Sequence, residues 1–146
     1  MEPNIDINFL AIAIAVVANF ILGFIWYTPL FGKAWAREMG FAPDMKPPAS
    51  ALARGMILML IGNFLMAWVF AHNLAVWNPI TWGKNPSEIP EAAFAASAAF
   101  FTWLGFFVPQ DLGVVTWGMK SWKLFFINTT YHLLSLVLVA FILVMM

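Results

Sequence analysis

Four long apolar stretches divide this chain, each separated from the next by a short polar connection. They run from about Ile7 to Tyr27, Gly55 to Ala75, Ala92 to Val108 and Leu124 to Met146, and none contains Asp, Glu, Lys or Arg. A spanning helix needs about 20 mainly apolar residues to cross about 30 Å of hydrocarbon. Within each stretch the apolar residues continue all round the helix, as lipid-facing spans do and amphipathic soluble helices do not. The pattern predicts an all-α integral membrane protein: one domain over residues 1–146, with four transmembrane helices. The residues before the first stretch, Met1 to Asp6, are acidic, and the apolar run is full length. Both features fit a true span better than a signal peptide.

Composition narrows the class. The chain is 63% hydrophobic and 10% charged, with a mean hydropathy of +0.86. An ordinary soluble domain is about 45–50% apolar and about 25% charged. These values exclude a soluble globular protein, a disordered chain and a nucleic-acid binder. The net charge is zero, so bulk charge implies no acidic or basic partner. There is no cysteine, which removes disulfides and thiolate chemistry.

The basic residues predict an orientation. Lys33, Arg37, Lys46 and Arg54 lie in or beside the first connection, Lys120 and Lys123 in the third, and only Lys84 in the second. The positive-inside rule places the first and third connections in the cytoplasm and both termini outside. The expected location is a bacterial inner membrane. Within the first connection, Leu30, Phe31, Ala34, Trp35 and Met39 share one helical face, and Lys33, Arg37 and Glu38 the other. This predicts an amphipathic helix over residues 29–40, opened by Pro29, lying on the inner surface with Lys33, Trp35 and Arg37 at the lipid headgroups. A Pro-rich linker, Phe41 to Ser50, follows.

The run Gly23-Phe24-Ile25-Trp26-Tyr27-Thr28-Pro29-Leu30-Phe31-Gly32-Lys33-Ala34-Trp35 resembles the hallmark of a bacterial membrane family. That family is catalogued only as domain of unknown function seventeen-sixty-one. Gly23, Trp26, Tyr27, Pro29, Phe31, Gly32, Lys33 and Trp35 match its pattern position by position. Asn128, Tyr131, His132, Leu133 and Ser135 look like its closing helix. The resemblance implies a small four-span protein of unassigned function and supplies no catalytic residues.

Small residues at four-residue spacing predict helix-packing faces. The stripes are Ala11, Ala15, Asn19, Gly23 and Tyr27 on the first span, Gly55, Met59, Asn63, Ala67 and Ala71 on the second, and Ala92, Ala95, Ala96, Ala98 and Ala99 on the third. The bulkier fourth span is expected to meet lipid or another subunit, and the protein to form a homodimer or trimer. Ala18-Asn19-Phe20 faintly echoes Gly62-Asn63-Phe64, the only hint of an inverted repeat.

Polarity enters the membrane at one level. Counted from the cytoplasmic edge, Asn19 lies about 12 Å deep, Asn63 about 13 Å, Thr102 about 10 Å, His132 about 13 Å and Asn128 about 7 Å. Asn128, Tyr131, His132 and Ser135 share one face of the fourth span. Such groups point away from lipid. Two readings stay open. The layer of Asn19, Asn63, Thr102, Asn128, Tyr131 and His132 lines a small-ligand site or permeation pathway, with Trp26 and Tyr27 at its mouth. Alternatively it is interhelical hydrogen-bond glue in a structural, accessory or lipid-binding protein.

Other chemistry is not signalled. His72 and His132 sit on different spans, too few and too far apart for a metal site. No nucleophile–base set, phosphate loop or cofactor motif occurs, so no enzyme activity is expected. Asn128-Thr129-Thr130 fits a glycosylation sequon but lies in a span. Pro109-Gln110-Asp111 breaks the third span in this reading, which predicts that Asp111 and the following apolar Leu112 to Trp117 lie along the inner surface. The alternative, a proline-kinked helix, buries Asp111 near the polar layer. With Asp111 at the surface no span holds a carboxylate, which argues against a proton-driven exporter.

Overall fold

A computed structural model of the protein describes residues 2–86 and 88–146, and all regular structure among them is helical. The elements are α1 (Phe9–Ile25), a π-turn (Trp26–Leu30), α2 (Gly32–Met39), α3 (Ala49–Trp77), a short 3-10 turn (Pro79–Trp82), α4 (Glu91–Thr102), a second π-turn (Trp103–Phe107), α5 (Val108–Thr116) and α6 (Trp122–Met145). Four continuous helical stretches are long and apolar enough to cross a membrane: Phe9–Leu30, Ala49–Trp77, Glu91–Thr116 and Trp122–Met145.

Local chemistry sets the helix ends. Asn8 caps α1 by accepting from the Ala11 amide at 3.1 Å, and Ser121 caps α6 by accepting from the Leu124 amide at 3.1 Å. Pro48 and Pro90 stand just before α3 and α4. Gly40 closes α2 with φ +86°, a left-handed conformation that glycine adopts without side-chain strain. Pro29 does not open α2; it lies inside the first π-turn, where the Phe31 amide reaches back five residues to the Trp26 carbonyl at 2.9 Å. A proline has no N–H for the α-helical ladder, and the wider turn absorbs that loss.

The hydrophobic core shows why small and large residues are divided between helices. Ile12 and Ala15 of α1, Ala67, Phe70, Ala71 and Leu74 of α3, and Ala95 and Ala99 of α4 gather round Leu136, Val139 and Ala140 of α6. The fourth span is therefore not the lipid-facing one. It is the most buried of the four. Alanine faces on α1 and α4 let helices approach, and the large side chains of α6 fill the space between them. The small-residue face of α3 is used only in part. Asn63, Ala67 and Ala71 are buried, whereas Gly55 and Met59 are exposed, like every residue from Leu52 to Gly62.

The two ends of the bundle differ. At the end holding residues near both termini, the Asn4 amide donates to the Thr81 carbonyl at 3.0 Å and Asn8 Nδ2 to the Met146 carbonyl at 3.3 Å. At the other, more basic end, α2 is tied to the start of α6. Ser121 Oγ donates to Glu38 Oε2 at 2.5 Å, Lys123 Nζ stands 4.0 Å from Glu38 Oε1, and Lys120 Nζ donates to the Met39 carbonyl at 3.4 Å. Lys33 and Arg37 stay exposed.

Candidate functional site

The helices bring most of the expected polar residues inward, in three groups. The first joins α1 to α3. Asn19 Nδ2 donates to Asn63 Oδ1 at 2.9 Å, and both residues are buried. Asn19 Oδ1 and Asn63 Nδ2 are left with no hydrogen-bond partner among the described residues. The Tyr131 hydroxyl of α6 lies near Ser135 and Asn19 and rests against Gly23. A Cβ at position 23 would sit 2.9 Å from that hydroxyl, so the close approach requires glycine.

The second group is an aromatic knot around the first π-turn. The Trp26 indole is buried and donates to the Ile127 carbonyl at 3.0 Å. Tyr27 Oη donates to Asn128 Oδ1 at 3.1 Å. Trp26 meets Phe31 with ring centroids 4.5 Å apart, and Tyr27 meets Tyr131 edge-on at 5.0 Å. Trp35 is half-buried and packs on Tyr27 and Phe41, at 5.7 Å from each. Trp26, Tyr27 and Asn128 thus spend their polar atoms on one another's helices. Trp26 and Tyr27, the first two residues of the π-turn, both reach α6.

The third group centres on a residue the hydropathy pattern sets outside the membrane. Asp111 does not lie along the surface. The helix runs on through the second π-turn and Pro109 to Thr116, and Asp111 is buried at 6% exposure. Its Oδ2 stands 2.8 Å from Nδ1 of His132, whose side chain keeps 28% exposure. A carboxylate oxygen accepts, so Nδ1 carries the shared proton and Nε2 is the nitrogen left to gain or lose one. His132 lies about 15 Å along α6 from Trp122, and Asp111 lies within the membrane-length helix Glu91–Thr116, so the third candidate span carries a carboxylate. The absence of a span carboxylate therefore no longer counts against proton coupling.

The register shows how the chain achieves this. Trp103 Nε1 donates to the Thr129 carbonyl at 2.8 Å and to its Oγ1 at 3.0 Å. A straight antiparallel partner in that register would set Asp111 opposite the start of α6. Asp111 instead meets His132, beyond Thr129. The π-turn and Pro109 lie between Trp103 and Asp111, and such features are where long helices change direction.

The pair lines an open groove of about 350 Å³ with Phe106, Phe107, Gln110 and Val114. Phe107 packs on the imidazole with centroids 4.9 Å apart. Thr102, also expected in the layer, is half-buried and makes no side-chain hydrogen bond among the described residues. A larger hollow of about 490 Å³ opens at the terminal end beside Asn8, Asn78 and Glu91, and none of the expected site residues line it. Sequence reasoning missed Asp111 and Trp103. The apolar run Leu112 to Trp117 just after Asp111 was the available signal that the helix continues.

A family model described as "Protein of unknown function (DUF1761)" matches residues 10–144. No curated protein and no solved structure matches the chain.

Proposed function

Since the chain belongs to the DUF1761 family, whose description assigns no activity, we propose from its own geometry that it is a non-enzymatic permeation or small-ligand protein of the membrane. The Asp111–His132 pair is its working centre. One observation carries this: a carboxylate and an imidazole 2.8 Å apart, inside two membrane-length helices, on a groove rather than in the dry core. Ionisable groups within spans are costly, and they mark ion and substrate pathways.

The competing reading, hydrogen-bond glue, is favoured for the rest of the layer. Asn19–Asn63, Tyr27–Asn128 and the Trp26 indole each join two helices. The site accordingly contracts from the whole layer to Asp111, His132 and the groove walls. Six of the seven basic residues support a cytoplasmic basic end, both termini outside, and α2 at the inner interface with Lys33 and Arg37 toward the headgroups. The uncovered half of α3 supports a homo-oligomer.

The test is proton movement in liposomes carrying the protein and a trapped pH dye. Wild type is expected to collapse an imposed pH gradient about tenfold faster than Asp111→Asn. Equal rates for wild type, Asp111→Asn and protein-free vesicles would remove the pair from any pathway.

A further inference from the structure

The groove beside Asp111 and His132 is built for one class of ligand. We propose that it binds a monovalent organic ammonium cation in one-for-one exchange with the proton on His132 Nε2. The proposal rests on the permeation reading above and names its substrate class.

Charge sets the stoichiometry. With Nδ1–H donated to Asp111 and Nε2 bare, the pair carries one negative charge. A proton on Nε2 brings it to zero, and so does one monovalent cation beside the carboxylate. Neither bound leaves an uncompensated charge within two membrane-length helices, and both bound leave a positive one. Each extreme is strongly disfavoured where water is scarce. The neutral states therefore exclude each other: cation in, proton out. The titratable groups around the pair are few. On α6, Tyr131 lies with its ring 5.7 Å from His132, and Tyr27 of the first π-turn stands edge-on to Tyr131 at 5.0 Å. Among the described residues, no Lys or Arg forms an ion pair with Asp111. The exchanged proton is therefore one held by the Asp111–His132 pair itself.

The walls select the kind of cation. Inorganic divalent cations take six or more oxygen ligands, and the groove offers only Asp111 and Gln110. It offers instead Phe106, Phe107 and Val114. Aromatic faces attract a cation within about 6 Å, most strongly when it is desolvated. An ammonium with apolar substituents needs one counter-charge and greasy walls, and finds both here. Phe106 is 72% exposed on a span helix, so the groove opens sideways, toward hydrocarbon. A lipophilic cation reaches it from within the bilayer.

The probe is benzyltrimethylammonium, whose permanent charge removes any titration of its own. It is added to the purified full chain in detergent, in weak buffer with a pH dye, and its binding is followed by calorimetry. Expected are one proton released per cation bound, and an apparent affinity that falls about tenfold per pH unit on the acid side. His132→Gln keeps the carboxylate and loses the ring nitrogen, so its binding should no longer follow the wild-type pH dependence, and an unchanged dependence overturns the assignment of the proton to Nε2. Asp111→Asn should not bind. Wild-type binding with no proton released overturns the proposal, and that measurement holds even where Asp111→Asn fails to fold. Binding that persists in folded Asp111→Asn also overturns it. Absent binding in a protein that still collapses a pH gradient removes the ammonium class and leaves the permeation reading standing. Absent binding together with an intact gradient removes both.

Discussion

Asp111 Oδ2 and His132 Nδ1 stand 2.8 Å apart although Trp103, eight residues before Asp111, already reaches Thr129 on the same partner helix. Over those eight residues the point of contact on α6 moves from Thr129 to His132 rather than toward Ser121. A π-turn and a proline lie between the two contacts, and the product is an ionisable pair within two membrane-length helices. Such a pair is poor at stabilising a fold. Replacing both partners by apolar residues is often neutral, while removing one costs about 3–5 kcal/mol.

That asymmetry is testable. His132→Leu leaves Asp111 buried without its hydrogen-bond partner, and the melting temperature in detergent should drop sharply. The double variant Asp111→Leu/His132→Leu should recover most of the loss. A double variant as unstable as the sum of the two single variants would mean that the two residues do not interact.

Asn19 and Asn63 should behave in the opposite way. Interhelical hydrogen bonds in membranes average about 0.6 kcal/mol. Asn19→Leu is therefore expected to shift stability modestly and to leave gradient collapse in liposomes at the wild-type rate. A loss of flux with intact folding would return this pair to the pathway.

Gly23→Ala tests the fit of Tyr131. The new methyl would lie 2.9 Å from the hydroxyl, and crowding of this kind costs about 1–3 kcal/mol. Adding Tyr131→Phe removes the oxygen and should restore part of the stability. The comparison needs only thermal melts of the two variants. Unchanged melting of Gly23→Ala would show that the two helices stand further apart.

Pro109→Ala restores an N–H and permits a regular helix across residues 103–111. Loss of the one-residue widening rotates everything beyond it by about 100° relative to α4, which turns Asp111 away from His132. Amide exchange across 103–111 should slow, and gradient collapse should fall to the Asp111→Asn rate. Full activity with slowed exchange would separate the π-turn from the pair.

Hydropathy made the four helices legible because lipid demands continuous apolar surface and internally satisfied backbone. Counting 1.5 Å per residue also set Asn19 level with Asn63, and the two are bonded. Asp111 was not legible for a local reason. Pro109-Gln110-Asp111 reads as a helix end in an α-helical ladder, but an i to i+5 turn just before the proline lets the helix continue. The fourth span misled because bulky residues read as lipid-facing, whereas α6 is the element the alanines of α1 and α4 surround. Trp26 and Tyr27 read as interfacial aromatics. Their indole and phenol donors reach Ile127 and Asn128 on another helix, and one-dimensional spacing does not carry that.

The Asp111–His132 contact underlies both proposals, and it can be observed in a bilayer. Solid-state NMR of the reconstituted protein, labelled with ¹³C-aspartate and ¹⁵N-histidine, reads magnetisation transfer between the Asp111 carboxylate and the His132 ring. The 2.8 Å contact predicts strong transfer to Nδ1 that disappears in Asp111→Asn. Absence of transfer in folded wild-type protein would contradict the pairing and with it the membrane site.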